Sequence, residues 1–100
     1  MHIRDRTFII TGGSSGLGLA TARDLYEHGG YIALLDLNAD SGAEAVQDIG
    51  SDRTAFFEAD VSESESIEAA LKGVSKWITK TGKAIGGIVS GAGVGNPGKV

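Results

Sequence analysis

The sequence predicts an α/β fold, a doubly wound parallel sheet covered by helices on both faces. Three observations predict it. Four short apolar runs lack polar alternation, the pattern of strands buried on both sides. Three longer segments between them carry apolar residues at helical spacing. Four glycines, Gly12, Gly13, Gly16 and Gly18, crowd between the first run and the first helical segment.

The elements follow in order. Thr7 to Ile10 reads as a short buried strand, and Leu17 to Glu27 as a helix with Leu17, Ala20, Thr21 and Leu25 on one face. The pair Gly29-Gly30 breaks the chain before a second strand, Tyr31 to Leu35. Asn38 is an N-cap residue type, and it opens a helix to about Ile49 with Ala39, Ala43 and Val46 on one side. Thr54 to Phe57 is a third strand. Ser62-Glu63-Ser64-Glu65 fits a capping box, in which Ser62 and Glu65 satisfy each other's free backbone N–H groups. The helix it opens carries Ile67, Leu71, Val74 and Ile78 on one stripe and stops at Gly82. Ile85 to Val89 is a fourth strand, followed by a glycine-rich stretch. The alternation β-α-β-α-β-α-β calls for right-handed crossovers and a parallel sheet.

Composition narrows the class. One hundred residues make one small domain or a piece of a larger one. The net charge of -4, without a Lys/Arg cluster, argues against a nucleic-acid surface. Cysteine is absent and the two histidines, His2 and His28, lie far apart, so no metal site is expected. The longest apolar run, Tyr31 to Leu35, is too short to span a membrane. The start, MHIRDRTF, lacks the apolar stretch of a secretory signal, so a soluble cytoplasmic protein is expected.

The glycine cluster needs a physical reason, because structured glycine costs conformational entropy. Its place, between strand and helix in a doubly wound sheet, is where such folds bind a dinucleotide. Gly12 lets the chain turn off the strand, Gly16 lets backbone approach a pyrophosphate, and Gly18 lets helix and strand pack closely. The helix N-terminus offers free N–H groups and about half a positive charge to the phosphates. Ser14 and Ser15 add hydroxyl donors. Asp36 ends the second strand, 18 positions after Gly18, close to the spacing expected of a ribose-binding carboxylate. Such a carboxylate accepts bonds from ribose hydroxyls and repels a 2′-phosphate. No arginine follows it, since Leu37 and Asn38 come next, which favours NAD over NADP.

The run TGGSSGLG resembles the Thr-Gly-x-x-x-Gly-x-Gly cofactor loop of the short-chain dehydrogenase/reductase family. The resemblance extends from about Thr7 to Val94. Asp60-Val61 resembles the family's Asp-Val pair, which implies the Asp60 carboxylate near the adenine amino group and Val61 beside the ring. Ser90-Gly91-Ala92-Gly93 lies where the family usually has Asn-Asn-Ala-Gly. Ala92 and Gly93 match and imply close backbone passage by the cofactor ribose; Ser90 and Gly91 replace the two asparagines. WITKTGKAIGGIVSGAGVGNPGKV and LLDLN are similar to sequences grouped with type-2 3-hydroxyacyl-CoA dehydrogenases. The resemblance implies a Rossmann-type sheet of strand order 3-2-1-4, truncated here after the fourth strand. It implies hydride transfer between NAD and an alcohol/carbonyl pair of a small-molecule substrate. The 100 residues would be the N-terminal half of the dinucleotide-binding domain, with the catalytic half and the helices of homo-oligomer contacts absent.

The family's chemistry uses a serine and a Tyr-x-x-x-Lys pair. Neither tyrosine here fits, because Tyr26 is followed four residues on by Gly30 and Tyr31 by Leu35. Both read as packing residues, and no catalytic residue is expected within this chain. Trp77 reads as core packing, and His28 as a helix-end residue that offsets the dipole or faces solvent. The expected cofactor-binding set is therefore Gly12, Ser14, Ser15, Gly16, Leu17, Gly18, Asp36, Asp60, Val61, Ala92 and Gly93. The competing readings are a non-catalytic dinucleotide-binding module or interaction fragment, and an α/β structural protein that binds no nucleotide.

Overall fold

The structure, a computed structural model, describes residues 3–12, 16–60 and 62–90. The elements are β1 (Thr7–Thr11), α1 (Gly16–Glu27), β2 (Tyr31–Asp36), α2 (Ala39–Ile49), β3 (Thr54–Glu58), α3 (Ser64–Thr81) and β4 (Ile85–Ser90). The four strands form one parallel sheet in the order β3-β2-β1-β4. That is the doubly wound order expected, with β4 beside β1 at one end.

Both faces of the sheet are apolar, as the absence of polar alternation requires. Successive strand residues point to opposite faces. Phe8, Ile10, Ile32 and Leu34 therefore meet Ala22 and Leu25 of α1 and Ala45 and Ile49 of α2 on one face. Ile9, Ala33 and Leu35 meet Ala70 and Val74 of α3 on the other, with Ala59 beside them. Trp77 and Phe57 pack against this second cluster, and the Trp77 ring lies 6.2 Å from both Tyr31 and Phe57. Trp77 and Tyr31 are packing residues, as expected.

The helix faces differ from those the sequence suggests. In α1 the buried residues are Gly18, Ala22 and Leu25, while Leu17 is 55% exposed. In α2 they are Gly42, Ala45 and Ile49, while Ala39 and Ala43 face outward. Close approach explains the shift, because the contact stripe uses the smallest side chains. A Cβ on Gly42 would lie 2.2 Å from the Phe56 ring, so α2 sits on that ring with no room for a methyl group. In α3 the expected stripe is only partly inward. Val74 is buried and Ile78 half-buried, but Leu71 turns toward a cavity of about 550 Å³ lined also by Ile9, Ile85 and Ile88. Ile88 on β4 is 66% exposed.

The helix ends follow their local chemistry. Asn38 caps α2 as expected, its Oδ1 accepting the Ser41 N–H at 3.0 Å. Gly82 ends α3, its N–H donating to the Ile78 carbonyl at 2.8 Å. The capping box does not form. The N-cap of α3 is Glu63, without a side-chain cap bond, and the Ser62 hydroxyl donates to Asp60 instead. The helix starts one residue later than the box requires, so Ser62 lies outside the N-cap and its hydroxyl turns back to the Asp60 carboxylate.

The contact of α2 with Phe56 yields a prediction. On an exposed helix, Gly to Ala is favourable by about 1 kcal/mol. At Gly42 the added methyl group collides with the ring, so Gly42→Ala is expected to lower stability by about 1–3 kcal/mol in urea unfolding. A gain in stability would show that α2 stands off the sheet.

Candidate functional site

The candidate site lies along the carboxyl ends of the strands. A parallel sheet brings all those ends to one edge, so residues far apart in sequence stand side by side there. Gly12 follows β1, Asp36 ends β2, and Asp60 lies two residues beyond β3. Adjacent strands are ~4.8 Å apart, so the row spans roughly 10 Å.

At the first position the ladder of β1 continues one bond past the strand. The Gly12 N–H donates to the Leu35 carbonyl at 2.7 Å. Gly12 has φ 68° and Gly16 φ 59°, both left-handed conformations that favour glycine. A Cβ at Gly16 would meet no described atom within 4 Å, so φ, and not crowding, demands glycine there. Gly16 is also the first residue of α1, whose first turn holds no acidic residue to compete with an anion. Gly18 is buried beneath the helix, where the expected close packing puts it. Leu17 stands exposed at the same helix end, which removes it from the core face and leaves it beside the row.

At the second position Asp36 is held through backbone and side chain. Its carbonyl accepts the Ala59 N–H at 2.8 Å, and its Oδ1 accepts the Leu37 N–H at 2.7 Å. In register with it on β3 stands Glu58. Paired residues in a parallel ladder face the same side, so two carboxyl groups share that end of the sheet. Sequence reasoning missed Glu58, because only strand register reveals the neighbour.

At the third position Asp60 is tied through both side chain and backbone. Its Oδ1 accepts the Ser62 N–H at 3.0 Å and the Ser62 hydroxyl at 2.6 Å. Its own N–H donates to Ser66 Oγ at 2.8 Å, and its carbonyl accepts the Glu63 N–H at 2.9 Å. The two bonds from Ser62 hold the Asp60 carboxyl below the usual aspartate range. Ser62 and Ser66 are the other residues missed. The only signal for them is the serine spacing after Asp60, which reads more simply as a helix cap.

Ser14, Ser15, Val61, Ala92 and Gly93 lie outside the described residues. The Tyr26 hydroxyl donates to Asp52 Oδ1 at 2.5 Å, which raises the phenol pKa further from neutrality. The same bond lowers that of Asp52. The Arg53 guanidinium lies 3.9 Å from the centre of the Tyr26 ring. His28 follows α1, exposed, with Nδ1 at 2.8 Å from the Asp24 carbonyl. Among the described residues no group of acidic or histidine side chains is arranged to hold a metal ion. No helix there is long and apolar enough to cross a membrane.

The bonds on Asp60 set a pH dependence. Its folded pKa is lowered, so the contribution of these bonds is present above the ordinary aspartate value and is lost as pH falls through the lowered one. An NMR titration of the Asp60 carboxyl carbon is expected to give a midpoint below that of an unstructured aspartate. Ser62→Ala is expected to move it upward. A wild-type midpoint at the ordinary value would contradict the geometry.

Comparisons with known proteins agree with this geometry. The family model described as short chain dehydrogenase matches residues 6–100. The 3-hydroxyacyl-CoA dehydrogenase type-2 of Drosophila melanogaster is 37% identical over 70 residues, which cover 70% of this chain and 27% of that protein. A short-chain type dehydrogenase/reductase from Mycobacterium ulcerans superposes with a TM-score of 0.79 at 26% identity, over 91% of this chain and 34% of that one. The 3-ketoacyl-(acyl-carrier-protein) reductase from Brucella melitensis, solved in complex with NADH, shares the fold with a TM-score of 0.72 at 24% identity, over 82% of this chain and 32% of that one. The chain spans about a quarter of the length of the curated relatives it matches. By sheet order, by the glycine turn before α1 and by the family match over nearly its whole length, the chain belongs to the short-chain dehydrogenase family.

Proposed function

We propose that these 100 residues are the cofactor-binding half of an NAD-dependent oxidoreductase acting on an alcohol/carbonyl pair. The observation that carries the reading is the adjacency of Gly12 and Asp36, joined through the bond from Gly12 to Leu35. It sets a turn fit for a pyrophosphate one strand away from a carboxylate fit for a ribose.

The division of labour follows from the row. Gly12, Gly16 and the free N–H groups of α1 take the pyrophosphate, with Ser14 and Ser15 as further donors. Leu17 and Gly18 complete that turn. Asp36 accepts from the adenosine ribose hydroxyls, and Asp60 with Val61 takes the adenine. Ala92 and Gly93 pass close to the second ribose. When bound, NAD supplies hydride acceptance at its nicotinamide ring. This chain binds and orients the dinucleotide; it contains no Tyr-x-x-x-Lys pair to move the substrate's proton. Tyr26, tied to Asp52, supplies no substitute. That favours a module that binds cofactor without turning it over by itself.

Calorimetric titration with NAD and NADP tests the reading. Saturable NAD binding is expected, with NADP about tenfold weaker or more, because a carboxylate faces its 2′-phosphate. Asp36→Ala is expected to weaken NAD by about tenfold and to narrow the gap between the two. Equal or tighter binding of NADP by the wild type would overturn the NAD assignment.

A further inference from the structure

Ser62 sits where sequence places a helix cap, yet it caps nothing. Its hydroxyl and its N–H both turn back onto one oxygen of Asp60, at 2.6 Å and 3.0 Å. Glu63, at the N-cap, makes no side-chain cap bond either. Some other gain at Asp60 gives that arrangement a reason.

The geometry supplies one. Asp60 is the outermost member of the row, one strand beyond the ribose position of Asp36. On the dinucleotide reading above, an adenine attached to that ribose would present its exocyclic amino group, a donor, toward this end of the sheet. A carboxylate there is an acceptor, but a side chain two bonds long can rotate about χ1 and χ2. Two bonds on Oδ1 remove that freedom and direct the second oxygen. The Ser66 hydroxyl, accepting the Asp60 N–H at 2.8 Å, holds the backbone beneath it.

We infer that Ser62 is a positioning residue for base recognition: it clamps Oδ1 of Asp60 so that Oδ2 accepts the adenine amino group, which makes the site selective for adenine over hypoxanthine. The inference rests on the dinucleotide reading above and adds to it the group that sets base selectivity. Hypoxanthine carries a carbonyl oxygen where adenine carries the amino group. That oxygen opposes the carboxylate and gains nothing from its orientation. Ser62 therefore matters for one base and not for the other.

The experiment compares NAD with nicotinamide hypoxanthine dinucleotide in calorimetric titrations of wild type, Ser62→Ala, Ser62→Thr and Asp60→Ala. Ser62→Ala is expected to weaken NAD by about fivefold, the loss of one ordinary hydrogen bond, and to leave the hypoxanthine analogue within about twofold. Ser62→Thr, which keeps the hydroxyl, is expected to restore NAD binding. Asp60→Ala is expected to abolish the preference altogether. A Ser62→Ala protein that loses both dinucleotides equally has lost only local structure, and one that loses neither has lost nothing that mattered; either overturns the positioning role while the dinucleotide reading stands. An unchanged preference in Asp60→Ala overturns the adenine contact. A wild type that binds neither dinucleotide overturns both readings together.

Discussion

The bond from the Gly12 N–H to the Leu35 carbonyl, 2.7 Å long, is the constraint on which the rest of the row depends. It carries the β1–β2 ladder one residue beyond the last strand pair, Thr11 and Leu35. Leu35 is almost fully buried, so its carbonyl needs a partner from within the protein. A chain that turned off β1 one residue earlier would orphan that carbonyl. Because the bond forms, Gly12 takes its left-handed conformation at a defined height and Asp36 emerges beside it. The same logic repeats one strand over, where the Ala59 N–H meets the Asp36 carbonyl and delivers Asp60 to the edge. The row is thus a by-product of ladder satisfaction in buried strands.

The two faces of the sheet meet their helices differently, and the difference has a physical source. On one face α1 and α2 approach through Gly18, Ala22, Gly42 and Ala45, with Leu25 and Ile49 beside them, over Phe8, Ile10, Ile32 and Leu34 of the strands. On the other, Ile9, Ala33, Leu35 and Phe57 of the strands meet Ala70 and Val74 of α3, with Trp77 and Ile78 packed beside them. Near β4 this second face is left as an open apolar cavity, with Ile85 and Ile88 largely exposed. An apolar strand with a neighbour on one side is the place where a sheet is prone to unwanted pairing. The cavity lies against α3 and the β4 end of the sheet, on the side opposite α1, so the candidate site does not draw on it.

How much of this was legible depends on which physical signal a residue carries. The strands were legible because double-sided burial forces continuous apolar runs, and their bounds moved by only a residue or so. Asn38 was legible as a cap because it has one strong local partner. The inward faces of α1 and α2 were not, because apolar bulk points to Leu17 while close packing selects Gly18 and Gly42. A pattern that scores large side chains inverts the answer where helices touch a sheet through their smallest ones. Ser62 misled for a related reason. Its spacing to Glu65 satisfies the capping rule, but a rule of spacing cannot see that the N-cap falls at Glu63 and that Ser62 turns back to a carboxylate two residues earlier. Glu58 was invisible altogether, since nothing short of the β2–β3 register sets it against Asp36.

The charge pattern resolves an apparent conflict between an acidic chain and an anionic ligand. A net charge of -4 repels a dinucleotide at long range, but screening confines that effect to within about 10 Å at ordinary ionic strength. Inside that distance the distribution decides. The Gly12 end of the row faces the N-terminus of α1, with roughly half a positive charge and no acid in its first turn. The acids gather at the other end, where Asp36 and Glu58 stand on neighbouring strands and Asp60 follows β3. A ligand that is anionic at its centre and rich in hydroxyl and amino donors at its adenosine end matches that gradient. One carrying an additional phosphate on the adenosine ribose does not, since that group would meet Asp36 directly with Glu58 beside it. In the proposed function, discrimination between the two dinucleotides rests on the ends of adjacent strands and needs no contribution from the overall charge.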